Sequence, residues 1–452
     1  MREANKMGQG DVRLCPTQQN KIKQKNLKGG TEANVPTVPC PVEKQCGGCQ
    51  YLRLPYEEQL KLKQEKIQKL LKPFGKVYEI TGADDPYHYR NKVHAVFGRT
   101  KNGQIISGTY QQNTHRIVPV DECLIENEKA DAIIRSIREL LASFRIKTYD
   151  EDTGYGVFRH ALVRTAHKTG QILVVLVTGT PVFPSRNNFV KALLALHPEI
   201  TTIVHNINDK RTSMVLGERE TVLYGKGFIE DELCGLRFRI SSGSFYQINS
   251  AQTEKLYRKA ISLAGLTGKE RVIDAYCGIG TIGLTAAGSA KEVIGVELNR
   301  KAVQDARKNA ERNGIRNARF FPGDAGEFMV RMASEKEHAD VVIMDPPRSG
   351  SSRAFLDAVK KLAPDRVVYI SCGPESLARD LEILRKNGYV MQGAWPYDLF
   401  CMTEHVEVAA LLERVSNRKA DSYVKLNVKM EDYYRIKDST GTGKCGGVTE
   451  DE

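Results

Sequence analysis

A chain of 452 residues can form two or three domains with a well-buried core. Its net charge of +12 favours a polyanionic partner, and its ten scattered cysteines are too few for a disulfide scaffold. No apolar run approaches the roughly 18 residues of a membrane span, and no signal-peptide core is present. The sequence therefore predicts a cytoplasmic protein, with no membrane partner, that we expect to be a monomer.

The first recognisable motif is a group of cysteines that follows a polar, basic segment. Residues 1–39 lack hydrophobic periodicity and predict a disordered basic tail. Cys40, Cys46 and Cys49 then form a C-x5-C-x2-C run, and Cys123 is the best candidate for a remote fourth ligand. This spacing fits an iron–sulfur cluster or zinc. Because zinc usually pairs two short C-x2-C arms, the single arm favours iron–sulfur.

Residues 40–240 predict a mixed α/β domain. The segment from Pro55 to Lys72 has the leucine and lysine spacing of an amphipathic helix with a basic outer face. Further helices are predicted at Ala130–Phe144 and Asn188–Leu196, and strands at Lys92–Phe97, Ile172–Val177 and Thr202–His205. Scattered cations are candidate phosphate contacts: Arg90, Lys92, Arg99, Arg116, Arg159 and Arg164.

Residues 241–415 alternate strands with helices, and the first strand ends at Asp274. A Gly278-x-Gly280-x-x-Gly283 turn follows, and Glu297 ends the next strand. Taken literally, this is the dinucleotide fingerprint. However, a carboxylate at Asp274 would repel a pyrophosphate and suits the sulfonium and ammonium groups of S-adenosylmethionine. The pattern therefore predicts Asp274, Gly278 and Glu297 as contacts of that cofactor.

Two later strand ends extend the predicted site. Asp324 follows a third strand and is positioned to bond the adenine amino group, while Glu297 can accept hydrogen bonds from the ribose hydroxyls. Asp345-Pro-Pro-Arg348 follows a fourth strand. A strand-terminal Asp-Pro-Pro is a substrate-edge feature of enzymes that methylate nucleotides.

A cysteine ends the strand at Val367–Ile370, just before a helix that begins at Pro374. Cys372 alone could be a small buried core residue. A position near a helix start, however, is expected to favour the thiolate. A nucleophilic thiolate is needed for methylation of a pyrimidine at carbon 5, because that carbon has no lone pair. The thiolate adds to carbon 6, and the resulting enolate takes the methyl group.

The reaction ends when a base removes the proton from carbon 5 and the thiol is eliminated. Glu407 opens the last strand, where an acid facing the core would have a raised pKa. It is the predicted base, although an ordinary strand acid is an equal alternative from the residue alone. His405 is predicted to be structural or orienting. We expect the target base to be flipped out of folded RNA.

At this point the sequence resembles the RNA (uracil-5-)-methyltransferases, closest to the iron–sulfur branch that modifies 23S ribosomal RNA. The matching motifs, which are specific as a set, are Cys40…Cys46-Gly-Gly-Cys49…Cys123, Ser244-Phe-Tyr-Gln247-Ile-Asn249, Asp274-Ala-Tyr-Cys-Gly-Ile-Gly-Thr281, Asp345-Pro-Pro-Arg348, Ser371-Cys372-Gly-Pro374 with Arg379-Asp380, and His405-Val-Glu407. The implied fold is α/β: a C-terminal Rossmann-like methyltransferase domain with a mostly parallel sheet, preceded by a mixed α/β domain that carries a 4Fe-4S cluster.

The resemblance also implies residue roles. Cys40, Cys46, Cys49 and Cys123 are expected to hold the 4Fe-4S cluster, Cys372 to be the nucleophile and Glu407 the base. Contacts to S-adenosylmethionine or the target base are expected, in the first rank, from Gln247, Tyr276, Glu297 and Asp345, and in the second rank from Thr281 and Asp324. The implied product is 5-methyluridine in 23S ribosomal RNA.

Two parts of the chain depart from the family pattern. Many members carry an N-terminal TRAM barrel that grips RNA, and the segment before Cys40 is too short and polar for one. Residues 416–452 form a polar C-terminal tail, predicted to be disordered. Its Gly-x-Gly-Lys is not a P-loop, because no strand precedes it.

Three other functions remain possible from the sequence. The first is a methyltransferase acting on transfer RNA or DNA with the same cysteine chemistry. The second is a non-catalytic iron–sulfur protein that binds RNA or senses redox state. The third is a dinucleotide oxidoreductase, which differs in the cofactor that it binds.

Overall fold

The computed structural model describes residues 40–212 and 214–415, which form two seven-stranded sheets and a two-stranded hairpin. The predicted tails at 1–39 and 416–452 lie outside the described residues. The predicted α/β class is confirmed, with helices packed on both sheets. No helix within the described ranges has the length and apolarity needed to cross a bilayer.

The first sheet has the strand order β3-β2-β1-β4-β5-β6-β7 and is antiparallel except where β5 pairs with β6. Its strands are β1 (Lys92–Arg99), β2 (Ile105–Tyr110), β3 (Ile117–Pro119), β4 (Phe158–Thr165), β5 (Ile172–Thr178), β6 (Ile200–Ile207) and β7 (Arg219–Tyr224). The helices of this part of the chain are α1 (Glu43–Cys46), α2 (Tyr56–Leu71), α3 (Glu128–Ser143) and α4 (Arg186–Leu196).

One face of the first sheet is covered by α3 and α4, which agree with the predicted helices to within two residues. Asn127 caps α3 by accepting hydrogen bonds from the backbone N–H groups of Lys129 and Ala130, so the helix begins where its apolar stripe begins. Ile133 and Ile137 on this stripe are fully buried. The opposite face contributes Leu162, Leu173 and Val204 to another core, which it shares with the second half of the chain.

A hairpin of β8 (Phe228–Leu233) and β9 (Leu236–Ser241) leads into the second sheet. The second sheet has the order β12-β11-β10-β13-β14-β16-β15. The elements of this half are α5 (Ser250–Ala264), β10 (Arg271–Ala275), α6 (Thr281–Ala287), β11 (Glu292–Glu297), α7 (Arg300–Arg312), β12 (Ala318–Pro322), α8 (Ala325–Ser334), β13 (Val341–Met344), α9 (Arg353–Leu362), β14 (Arg366–Ser371), α10 (Pro374–Lys386), β15 (Tyr389–Tyr397) and β16 (Glu407–Arg414).

The strands from β12 to β14 are parallel, and β16 and β15 extend the sheet in antiparallel fashion. The run Val341–Met344 of β13 is buried throughout, as expected for a strand covered by helices on both faces. The chain order reverses between β10 and β13, so a crevice forms at the carboxyl ends of these strands. This edge is where the sequence places the cofactor motifs.

Helix α2 precedes the first sheet in the sequence but packs against the second, where Ile67 and Leu71 join the core beside β15 and α10. The prediction of a helix here is confirmed, but the prediction that its lysines all face outward is wrong for Lys63. The Nζ atom of Lys63 donates to Oδ1 of Asp398 at 2.7 Å and to the carbonyl of Phe400 at 3.1 Å. Both charged side chains are 0% exposed.

We predict that Lys63→Met destabilises the protein by about 3–5 kcal/mol, because the Asp398 carboxylate would be left buried without its partner. Urea unfolding measures the loss. Lys61→Met, an exposed position on the same helix, is the matched control and should change stability little. Equal stability of the two variants would contradict the role given to the pair.

Candidate functional site

The carboxyl edge of the second sheet collects most of the predicted site residues. Parallel strands end at the same edge, so the residues that follow β10, β11, β13 and β14 lie side by side. Strand β16 runs in the opposite direction and therefore begins at this edge. Across the sheet the order of the predicted site residues is Asp324, Glu297, Asp274 with Tyr276 and Gly278, Asp345, Cys372 and Glu407.

Asp274 is 0% exposed, and its Oδ2 atom accepts a hydrogen bond from the backbone N–H of Gly283 at 2.7 Å. Its Oδ1 atom is buried and meets no hydrogen-bond donor within the described residues. The pKa of Asp274 is raised to about 8, chiefly by burial and also by the neighbouring carboxylates of Asp345 and Glu297, while the hydrogen bond from Gly283 opposes the rise. A cation placed here would relieve this cost.

The Glu297 side chain is hydrogen-bonded to the glycine-rich turn at Gly278. The Oε2 atom of Glu297 accepts from the backbone N–H of Gly278 at 3.1 Å, and Oε1 accepts from the N–H of Asn299 at 2.7 Å. Gly278 has φ +56°, and a Cβ atom there would meet no described atom within 4 Å. The turn therefore leaves open space beside a fixed carboxylate.

Tyr276 is a non-glycine residue with φ +68°, a strained conformation of the kind often found at functional sites. Its hydroxyl shares a hydrogen bond of 3.2 Å with that of Ser351, in the loop that follows Asp-Pro-Pro. Asp324 is exposed and caps α8, because its Oδ1 atom accepts from the N–H of Glu327 at 3.0 Å. Asp324 therefore lies at the outer end of the edge.

Cys372 and Glu407 lie close together at this edge. Ser371 pairs with Val408 at the end of the antiparallel ladder of β14 and β16, and Cys372 and Glu407 are the next residues of the two segments. The charge of Glu407 acts on the Cys372 thiol, which agrees with their closeness. Cys372 is half-buried, whereas Glu407 is 2% exposed. A substrate atom bound at Cys372 would therefore lie close to the Glu407 carboxyl group.

The structure contradicts the prediction that the helix start favours a Cys372 thiolate. Burial, followed by the carboxylates of Glu407 and Asp345, raises the pKa of Cys372 to about 11. The guanidinium of Arg348 lies beside the thiol and lowers the pKa, but by less than the other causes raise it. The thiol is consequently protonated at neutral pH in the protein without ligands.

Glu407 has the raised pKa that the sequence predicted for a core-facing acid. Burial raises its pKa well above the usual range, Asp345 adds to the effect, and Arg348 opposes it. Burial raises the pKa of Asp345 to about 7. The Oε2 atom of Glu407 is buried and accepts no hydrogen bond from any described group. Such a carboxyl group is suited to proton transfer.

The structure adds Tyr257, which the sequence reading missed. This tyrosine on α5 is 2% exposed, and its hydroxyl lies near the side chains of Thr281 and Gln247 and near Asp345 and Glu407. It brings the predicted residues Gln247 and Thr281 to the same site. A tyrosine on the buried face of an amphipathic helix is typical of a hydrophobic core, so the sequence pattern did not mark Tyr257 as a site residue.

The four predicted cysteine ligands lie around one cavity of about 220 Å³: Cys40, Cys46, Cys49 and Cys123. Gly47 ends the short helix α1 with φ +68°, which turns the chain so that the cysteines on either side face the cavity. Burial raises the pKa values of Cys49 and Cys123 to about 12.

A cation borders the same cavity. The Nε atom of Arg90 is buried and donates no hydrogen bond to the described residues, and the charge of Arg90 lowers the pKa values of Cys46 and Cys49. Over residues 40–212 and 214–415, no three or more His, Cys, Asp or Glu side chains are arranged to hold a metal ion. The predicted cluster site thus has its thiols on one cavity but not in a closed coordination geometry.

The family model and the similar sequences all describe RNA methyltransferases. The family model described as tRNA (uracil-5-)-methyltransferase matches residues 55–415. An uncharacterized RNA methyltransferase of Halalkalibacterium halodurans is 42% identical over 381 residues, 83% of this chain and 83% of the relative. One of Listeria monocytogenes is 44% identical over 384 residues, 84% of each chain.

A solved structure is similar over most of the fold. It is the crystal structure of Pyrococcus abyssi tRNA (uracil-54, C5)-methyltransferase in complex with S-adenosyl-L-homocysteine. The TM-score is 0.67 with 27% sequence identity, and the match covers 81% of this chain and 86% of that chain.

The raised pKa of Cys372 leads to a prediction for the ligand-free protein. Alkylation of Cys372 by iodoacetamide, followed by mass spectrometry of its peptide, should still accelerate above about pH 9, because only the thiolate reacts. Arg348→Met should slow alkylation further at each pH, whereas Arg353→Met at an exposed position should not. A rate that levels off near neutral pH would contradict this prediction.

Proposed function

The chain belongs to the RNA (uracil-5-)-methyltransferase family, and we propose that it methylates carbon 5 of a uridine in 23S ribosomal RNA with S-adenosylmethionine as the methyl donor. The product is 5-methyluridine. The proposal is carried by one observation: Cys372 and Glu407 lie close together at the sheet edge that also holds Asp274 and Asp345. We place this reaction in the cytoplasm and expect a monomer.

The residues of the glycine-rich turn fit the cofactor. Asp274 has a buried oxygen without a donor in the described part of the chain, and Glu297 is held beside open space at Gly278. When bound, S-adenosylmethionine supplies the methyl group and a positive charge that offsets the carboxylates raising the pKa of Cys372. We propose Asp274, Gly278 and Glu297 as its contacts, together with Tyr276, Thr281 and Asp324.

Cys372 is the proposed nucleophile. Its thiolate adds to carbon 6 of the uracil, which makes carbon 5 nucleophilic and able to accept the methyl group. Arg348 beside the thiol favours the thiolate and is the described cation positioned to do so. The high pKa at rest keeps the thiol unreactive until the positive charge of the cofactor and the substrate are both in place.

Glu407 is the proposed base that removes the proton from carbon 5, after which the bond from carbon 6 to the Cys372 sulfur breaks. The raised pKa of Glu407 makes its carboxylate a stronger base than an exposed one. Gln247 and Asp345 surround the Tyr257 hydroxyl at the same place and are proposed to hold the cofactor or the target base.

We further propose that Cys40, Cys46, Cys49 and Cys123 hold a 4Fe-4S cluster. The support is the donor set: four thiols around one cavity, which is bordered by Arg90, whose buried Nε atom has no acceptor among the described residues. A cation there suits thiolates, which carry the negative charge of such a cluster.

Transfer RNA is the second candidate substrate, because the similar Pyrococcus abyssi structure is a tRNA (uracil-54, C5)-methyltransferase. The cysteine motif favours ribosomal RNA through the resemblance to the iron–sulfur branch. The two candidates share the chemistry at Cys372 and differ only in the RNA that is bound.

Anaerobically purified protein, incubated with unmodified 23S RNA and radiolabelled S-adenosylmethionine, should yield labelled 5-methyluridine on nucleoside analysis. Cys372→Ala should abolish the label, while the cofactor should still raise the melting temperature. Cys234→Ala, which removes a half-buried thiol elsewhere, is the control and should stay active. Label on transfer RNA alone would show that transfer RNA, and not 23S RNA, is the substrate. The absence of label on any RNA would favour a non-catalytic RNA-binding protein.

Glu407→Gln should accumulate a covalent protein–RNA adduct, because methylation can proceed while elimination of the thiol cannot. A slow-migrating band on a denaturing gel reports the adduct. The double variant Cys372→Ala/Glu407→Gln is the control and should give no band. A Glu407→Gln enzyme that turns over without an adduct would remove Glu407 from the role of base.

The anaerobic protein should contain about four iron and four sulfide per chain, and Cys46→Ala should lose most of both. Elemental analysis and visible absorbance measure the change, with Cys234→Ala as the matched control. Stoichiometric zinc without sulfide would contradict the proposed cluster.

A further inference from the structure

Two cations lie side by side on neighbouring strands of the first sheet. Lys92 on β1 and Arg164 on β4 are direct partners in the antiparallel ladder, so their side chains leave the same face of the sheet. Like charges at directly opposed positions destabilise a sheet. Arg164 is 3% exposed and Lys92 is half-buried, which limits screening by water.

No carboxylate of the described ranges compensates this pair. The pKa of Lys92 is lowered to about 8, chiefly by burial and also by the positive charges of Arg164 and Arg90. Burial likewise lowers the pKa of Arg164 to about 10. The Nε atom of Arg164 is buried and donates to no described acceptor. Both groups remain charged at neutral pH, so an anion is the missing partner.

Other cations of the same sheet are satisfied internally. Arg159 forms a buried salt bridge of 2.7 Å with Glu151 and donates to the carbonyls of Asn208 and Lys210. Burial lowers the pKa values of His94 and His160 on the same face as Lys92, so both are neutral at pH 7. The uncompensated charge on this face is therefore concentrated at Lys92 and Arg164.

The pair adjoins the segment that carries Gln247. Asn91, next to Lys92, donates through Nδ2 to the carbonyl of Gln247 and to the hydroxyl of Ser250, both at 2.9 Å. Arg164 donates through Nη2 to the carbonyl of Ser244. A group bound by the cation pair would consequently lie beside the loop that carries Gln247, a proposed contact of the cofactor or the target base.

We propose that Lys92 and Arg164 form a binding site for one phosphodiester of the RNA strand next to the target uridine. The inference rests on the proposed function and deepens it, because it assigns a point at which the substrate backbone is held. A phosphate at the half-buried Lys92 ammonium supplies the charge that the pair lacks and accepts a hydrogen bond from it, while the buried Arg164 adds its positive charge. Fixing the backbone here would hold the flipped nucleotide over Cys372.

The test is the salt dependence of binding to unmodified 23S RNA. Lys92→Gln should reduce the slope of log affinity against log salt by about one, because one phosphate contact is lost. Lys92→Arg should restore the slope. Lys191→Gln removes an exposed charge from α4 on the covered face and is the matched control. A loss of slope in Lys92→Gln no larger than in Lys191→Gln would overturn the proposal.

Stability separates a binding role from a structural one. Without RNA, Lys92→Gln should leave the melting temperature unchanged or raise it, because repulsion with Arg164 is removed. With RNA, its KM should rise while kcat at saturating RNA stays close to the wild-type value. A lowered melting temperature with an unchanged KM would make Lys92 structural and overturn the site. Wild-type protein that binds 23S RNA with the predicted slopes but transfers no methyl group would instead refute only the proposed function.

Discussion

The buried ion pair of Lys63 and Asp398 is the contact on which the catalytic edge depends. It fixes the segment that joins β15 to β16, because Lys63 also donates to the carbonyl of Phe400. Gln59 holds Met402 in its left-handed conformation, φ +67°, by accepting from its backbone N–H and donating to its sulfur. Glu407 begins β16 directly after this segment. The orientation of the proposed base is therefore set by α2, a helix far from it in sequence.

The same segment borders the cysteine cavity. Met402 packs with Leu52 and Ile125 in a small core that also contacts Cys40, Cys49 and Cys123. In addition, the backbone N–H of Tyr51 donates to the carbonyl of Met402 at 3.0 Å. Any group that orders the four cysteines would thereby order one end of the segment that leads to Glu407. This contact would give the proposed cluster a physical route to influence the segment that leads to the proposed base.

The positions of the predicted site residues could be inferred from the sequence where local pattern decides them. Strand ends marked by Asp274, Glu297 and Asp345 could be placed on one edge because parallel strands align their carboxyl ends. The inward-facing Lys63 could not be predicted, since its partner Asp398 is 335 residues away. The protonated state of Cys372 was also missed. A helix start can be read from sequence, but the burial and carboxylates that outweigh it come from tertiary packing.

The two halves of this region carry groups of opposite charge type: acids that ionise more readily beside a cation on one side, and cations without a partner among the described residues on the other. Carboxyl groups with raised pKa values line the edge of the second sheet, where Asp274, Asp345 and Glu407 lie. The cation pair Lys92 and Arg164 lies across the loop that contains Gln247. A sulfonium cofactor and a polyanionic RNA need opposite fields, and mixing these charges in one pocket would neutralise both. In the proposed mechanism, their separation would let each reactant bind on its own side and meet the other at Cys372.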